Sequence, residues 1–156
     1  MAIGWFDLVI TPSDAAVRQL RSSWGWLIDV EWSPILFSVW GDVFLKRPND
    51  IAWLNTGMGQ LTSVAKDEDE FRKKLKSARS DWFLPNLVAS LHASGKRPAD
   101  GECFTYAIYP IFAEGKYVPE NFKPVPAASH FGVSGDLHSQ LRNLEDGAKV
   151  RVTITD

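Results

Sequence analysis

One cysteine, three histidines, no excess of basic charge and no long apolar run: the sequence is short of several things at once, and each shortage removes a class of function. A single thiol, Cys103, rules out an intrachain disulfide and fits a reducing compartment, so a cytoplasmic location is expected. The histidines, His92, His130 and His138, include no pair four residues apart and have no clustered carboxylates beside them, so neither a metal nor a cofactor is expected. His130 and His138 are eight apart, which reads as too far round a helix to converge, and all three read as structural or surface side chains. Seventeen Lys and Arg against 19 Asp and Glu give a formal charge of -2, so direct nucleic-acid binding is not expected. Met1 to Ile10 lacks a positive start and is interrupted by Asp7, so it does not read as a secretory signal. No stretch approaches the ~18 uninterrupted apolar residues of a spanning helix, so no membrane role is expected.

What the chain does have is core-forming material, with 45% apolar residues and seven tryptophans in 156 residues. With no internal repeat or low-complexity linker, residues 1–156 are expected to form one domain. Phe37, Val39, Gly41, Val43 and Leu45 alternate with Ser38, Trp40, Asp42 and Phe44, the period of a strand. Arg47-Pro48-Asn49-Asp50 supplies a turn, Ile51 to Asn55 a second strand, Gly57-Met58-Gly59 a second reversal through positive φ, and Leu61 to Val64 a third strand. The pattern predicts a three-stranded antiparallel meander over about 37–64 in an α+β fold, packed by about four helices.

Thr11-Pro12-Ser13-Asp14 opens the first helix, with Thr11 as its cap, Val17, Leu20 and Trp24 on one face and Gly25 as its end. Asp67 and Glu70 form a capping-box pair ahead of Phe71, Leu75 and Ala78, and Glu68–Arg72, Asp69–Lys73 and Glu70–Lys74 are spaced for surface ion pairs. Trp82 to Leu91 predicts a helix across Pro85, stopped by Gly95 to Pro98. Phe104, Tyr106 and Ile108 alternate in a fourth strand, and the prolines between 111 and 128 break that region into extended pieces. From Ser129, Leu137, Leu141 and Leu144 predict a last helix, and Val150, Val152 and Ile154 a final strand.

No catalytic signature stands out. Gly57-x-Gly59 precedes a strand, not the helix a phosphate loop requires, and reads as a turn. Gly132-Val133-Ser134-Gly135 places its second glycine one residue too early for a nucleophile elbow and reads as a small-residue helix face. Cys103 reads as a small buried apolar group, and Glu102 and Glu114 could act as an acid–base pair only if folding joined them. Two candidate surfaces remain. Asp67, Glu68, Asp69 and Glu70 could mimic phosphates in a basic cleft of a partner, although each has a basic residue nearby in the helix. Trp40, Trp53, Tyr106 and His130 could line an aromatic pocket.

Taken together, Trp40-Gly41-Asp42-Val43-Phe44-Leu45, Trp53 to Leu61, Phe83-Leu84-Pro85 with Leu91-His92 and Gly95, Gly101-Glu102-Cys103, Gly115-Lys116-Tyr117 with Glu120-Asn121, Phe131 to Leu137 and Gly147-x-Lys149-Val150 resemble one family. The pattern is similar, from about Trp24 onward, to the C-terminal domain of type VI secretion immunity proteins that neutralise DNase effectors, long filed as a domain of unknown function. Longer members carry a GAD-like domain in front, and the family's usual second glycine before the Tyr117 position is Lys116 here. The resemblance implies a cytoplasmic, non-enzymatic antitoxin that binds a cognate toxin stoichiometrically. A small-molecule-binding or enzymatic domain using the aromatic pocket, or a generic interaction module, are the other expectations. The sequence specifies neither the toxin nor the oligomeric state.

Overall fold

Ser38 decides where the central sheet first turns. Its hydroxyl accepts hydrogen bonds from the backbone N–H groups of Trp40 and Asp42, both 3.2 Å, and Gly41 takes φ +76°. The alternation through Phe37 to Leu45 therefore belongs to two strands joined by a tight turn, not to one. The turn is invisible to periodicity because Phe37 and Val43 stand opposite each other across it and share a face.

The computed structural model describes residues 3–144. It begins with a short helix α1 (Trp5–Leu8), strand β1 (Val9–Ile10) and helix α2 (Asp14–Trp24), capped by Ser13, not Thr11: the Ser13 hydroxyl accepts from the Ala16 N–H. The meander follows as β2 (Ser33–Ser38), β3 (Val43–Lys46), β4 (Ile51–Asn55) and β5 (Gln60–Ala65). With β1 these strands form a five-stranded antiparallel sheet in chain order. The Arg47–Asp50 turn is clamped by paired guanidinium–carboxylate bonds of 2.7 and 2.6 Å. At the second turn, only Gly59 has positive φ; the Asn55 side chain accepts from the N–H groups of Gly57 and Met58.

Helix α3 (Glu68–Ser77) is capped by Asp67, which accepts from the Glu70 N–H at 2.9 Å. The helix expected across Pro85 is two pieces, α4 (Arg79–Phe83) and α5 (Pro85–Ala93). Leu84 lies between them at φ +47°, and Pro85 occupies the first position of α5, where its missing N–H is harmless. A second, two-stranded sheet pairs β6 (Glu102–Tyr106) with β7 (Phe122–Pro126), after which α6 (Ala127–Leu141) runs unbroken through Gly132 and Gly135. Ile108 and Leu144 fall beyond the strand and the helix expected to hold them, and both are exposed. The final strand expected over Val150 to Ile154 lies outside the described residues.

The four longer helices, α2, α3, α5 and α6, are the packing layer expected of this α+β fold, with α1 and α4 added as short turns. The centre of the sheet, β3 and β4, is buried on both faces. Val43, Leu45, Ala52 and Leu54 point into a core with Leu20, Trp24 and Phe131 of α2 and α6. Phe44, Ile51 and Trp53 point the other way, toward Phe71, Phe83, Val88 and Phe104. Full burial of one such side chain contributes roughly 1.5–3 kcal/mol, so the alternation on β3 and β4 fixes the register of both layers. The two glycines of α6 let it lie tightly on α2: a Cβ at Gly135 would stand 2.5 Å from the Ser23 carbonyl oxygen. The small-residue face thus serves close helix contact and exposes no serine nucleophile; Ser134 is buried and bonds the Phe131 carbonyl.

Candidate functional site

The two turns at one end of the sheet, 39–42 and 56–59, carry glycines because aromatic side chains occupy the space beside them. A Cβ on Gly41 would overlap the His130 ring, and one on Gly59 would overlap the His138 ring. At Gly57 it would stand 2.8 Å from both the Tyr106 hydroxyl and the Pro110 ring. Both turns are therefore shaped to receive α6 and β6.

His130 and His138, expected not to converge, meet at one residue, Thr56. His130 Nε2 lies 2.7 Å from the Thr56 hydroxyl, and His138 Nε2 donates to the Thr56 carbonyl at 2.8 Å. The eight-residue spacing alone does not show this, because the two rings meet not on one another but on a loop inserted between them. The other His130 nitrogen, Nδ1, is 2.8 Å from the Thr105 hydroxyl, which is 3.2 Å from the Tyr109 hydroxyl. The Thr56 hydroxyl and N–H both reach Asp42 Oδ1, at 3.0 and 2.9 Å. With the Thr56 hydroxyl donating to Asp42 Oδ1 or to the Gly41 carbonyl at 3.2 Å, it accepts from His130 Nε2–H, and Nδ1 accepts from Thr105, which accepts from Tyr109.

Burial sets the charges here. Desolvation, with a smaller contribution from His138, holds His130 down at about 3, so the ring is neutral, as the proton count requires. Burial also pushes the Asp42 carboxyl up to about 7, against the opposing pull of the Thr56 hydrogen bonds and a weaker one from the Trp53 indole. That indole N–H finds no acceptor at bonding distance. The Cys103 thiol is pushed up by burial and then by the Asp42 charge, which keeps it protonated as a small apolar group.

Asp42 also faces outward from the network. Among the described residues, Oδ2 accepts no hydrogen bond, and the side chain lines a cleft of about 530 Å³ walled by Trp40, Trp53, Trp82, Tyr106 and Tyr117. Trp40 is held in that wall by its indole N–H, which donates to the Phe83 carbonyl at 2.9 Å. Of the four residues expected in an aromatic pocket, the structure brings together Trp40, Trp53 and Tyr106, while His130 sits beneath the floor in the hydrogen-bond network. Asp42, Trp82 and Tyr117 were missed. Trp82 and Tyr117 are far from the meander in sequence, and Asp42 was assigned to a strand where its turn position was hidden.

The acidic stretch has a different character. Asp67 caps α3, Glu68 contacts Lys46 and Arg72, and Glu70 contacts Lys74. Asp69 pairs with Arg72 at 3.2 Å where Lys73 was expected. These four residues stand apart from the cleft lining. Glu102 accepts from the Ala99 N–H in its own turn, and Glu114 is an exposed loop residue. Among the described residues no group of His, Cys, Asp and Glu is arranged to hold a metal ion, and no helix is long and apolar enough to cross a membrane.

Besides the meander, the network and the cleft draw on α4, α5, β6 and α6, in the part of the chain that a family comparison recognises. Residues 65–138 match the T6SS immunity protein Tdi1, C-terminal, family. The expected resemblance is thus borne out for this stretch, which runs from the last residue of β5 to His138 and leaves the meander before it. The Tdi1 family is one of immunity proteins. The fold is also that of a solved protein, in the crystal structure of Atu4351 from Agrobacterium tumefaciens, at a TM-score of 0.51 and 15% identity. That alignment covers 82% of this chain and 65% of the other, so this chain spans less than two thirds of its solved relative. A search of curated proteins gives no match.

Proposed function

We propose that the protein is an immunity protein that neutralises a cognate secreted toxin by forming a stoichiometric complex in the cytoplasm. The observation that carries this reading is the Tdi1-family match over 65–138, because that stretch supplies α6 and β6, which shape both turns of the sheet, and much of the cleft wall. The internal chemistry is in keeping with it. Neutral His130, protonated Cys103 and Thr56 are buried and engaged in holding the turns, an arrangement suited to a rigid binding surface without catalysis. The toxin is a nuclease by the resemblance to DNase-immunity proteins, and residues 1–156 act as one immunity-like domain.

The test is co-expression of the full chain with the effector encoded beside its gene. Protection of the cells and co-elution of the two proteins are the expected results. An effector that remains lethal and elutes separately would overturn the reading for that pair. A second reading, a small-molecule site, is favoured by one observation, the convergence of Trp40, Trp53 and Tyr106 on a cleft with a buried carboxyl group.

A further inference from the structure

We propose that the cleft over Asp42 binds an organic cation, a guanidinium or alkylammonium group, presented on an arginine or lysine side chain of a partner protein. Its walls include five aromatic side chains, and such rings attract cations through their quadrupoles, most strongly when water is excluded. Its floor is a carboxyl group, 4% exposed, whose Oδ1 is occupied by Thr56 and whose Oδ2 is without a hydrogen-bond partner among the described residues. Among the described residues, the other ionisable side chain at the lining besides the tyrosines is Asp81, and no lysine or arginine lines the cleft. An anion would meet two carboxyl groups and no compensating charge. A neutral apolar ligand would leave the Asp42 oxygen buried and unpaired, which is unfavourable.

Size selects the same class. About 530 Å³ lies within the range of pockets for small ligands and is ample for the end of a long side chain, and Tyr117, 45% exposed, leaves the mouth open for the rest of a polypeptide. The exposed Ser80, Asp81 and Asn86 at the rim offer polar contacts to a peptide backbone. The inference names the chemistry of the partner contact in the immunity reading above, yet the cleft can be probed without any toxin.

The test is titration of the intact protein, followed by its tryptophan indole N–H resonances, with three blocked tripeptides that differ only in a central Arg, Lys or Gln. Guanidinium chloride and tetramethylammonium chloride at low concentration form a second arm. Saturable shifts of the Trp40, Trp53 and Trp82 signals with the Arg or Lys peptide, absent with the Gln peptide, are expected. Preference for either free cation over the peptides would overturn the partner-side-chain assignment in favour of a small-molecule site. Asp81→Asn and Trp82→Leu, at the rim and the outer wall, should each weaken binding about 10-fold, as loss of a charge or a cation–π face implies. Asp42→Asn should abolish it, with retained indole dispersion as the check on folding. Equal response to the Gln peptide, or no response to any probe, would overturn the proposal, whereas failure of toxin rescue alone would count only against the immunity reading.

Discussion

The carboxylates of α3 and the carboxyl of Asp42 show two opposite ways for a protein to keep acids. Asp67, Glu68, Asp69 and Glu70 lie at the surface, each with a local partner in a cap or an ion pair, and water screens what remains. Asp42 is buried, has no cation beside it among the described residues and is held by a threonine and a turn. Local pairing makes the first group energetically quiet. Burial makes Asp42 sensitive to pH, to its neighbours and to whatever enters the cleft.

The largest change should come from breaking the space around the buried group. Gly41→Ala adds a Cβ that overlaps His130 at a residue with φ +76°, and we expect a loss of about 3 kcal/mol or more in denaturant unfolding. The same substitution in a His130→Ala background should lose less beyond that background, since only the backbone strain and a tight contact with Cys103 Sγ at 3.2 Å remain. An equal loss in both backgrounds would show that the ring is not the obstacle.

A pH profile should separate the buried acid from the buried base. Asp42 is raised from 3.8 to about 7, so between those values the folded state holds a proton that the unfolded state has lost, and its contribution falls as pH rises. The full span amounts to something on the order of 4 kcal/mol. His130 is lowered from 6.5 to about 3, so its contribution is complete above 6.5 and is lost as pH falls toward 3. The two slopes oppose. Relative to the parent, Asp42→Asn should therefore gain stability more steeply as pH rises from about 4 to 7, and His130→Gln should gain it less steeply or lose it. Parallel profiles for all three proteins would contradict the assignment of both groups.

On the surface side of the comparison the effects are small. Asp67→Ala removes the cap of α3 and should cost about 1 kcal/mol. Glu68→Gln removes two exposed ion pairs, to Lys46 and Arg72, and should change stability by no more than about 0.5 kcal/mol at moderate salt. A larger effect at Glu68 than at Asp67 would reverse the ranking of cap and ion pair.

The same division explains what could be read from the sequence. The α3 region was legible because a cap, a hydrophobic stripe and charges spaced by four are all local, and only the Asp69 partner differed. The antiparallel order from β3 to β5 was legible for the same reason, since neighbours in the sheet are neighbours in the chain, whereas β1 carried no signal. The turn at Gly41 was hidden because the residues on either side continue the alternation, and Ser38 bonding two N–H groups has no periodicity. The cleft depends on Trp40 and Trp53 meeting Trp82, Tyr106 and Tyr117, contacts across long separations that composition announces only as a surplus of aromatics. His130 and His138 were misjudged for a geometric reason, as a third element lies between them.

Leu84 gives the cleft a property of its own. A leucine at φ +47° carries strain on the order of 1 kcal/mol and keeps it only because the elements on either side leave no alternative. Trp82 precedes it and Pro85 follows it, and both stand in the cleft wall. One left-handed residue therefore sets the angle between the two helices that carry these wall residues, and a leucine leaves that torsion fewer alternatives than a glycine would.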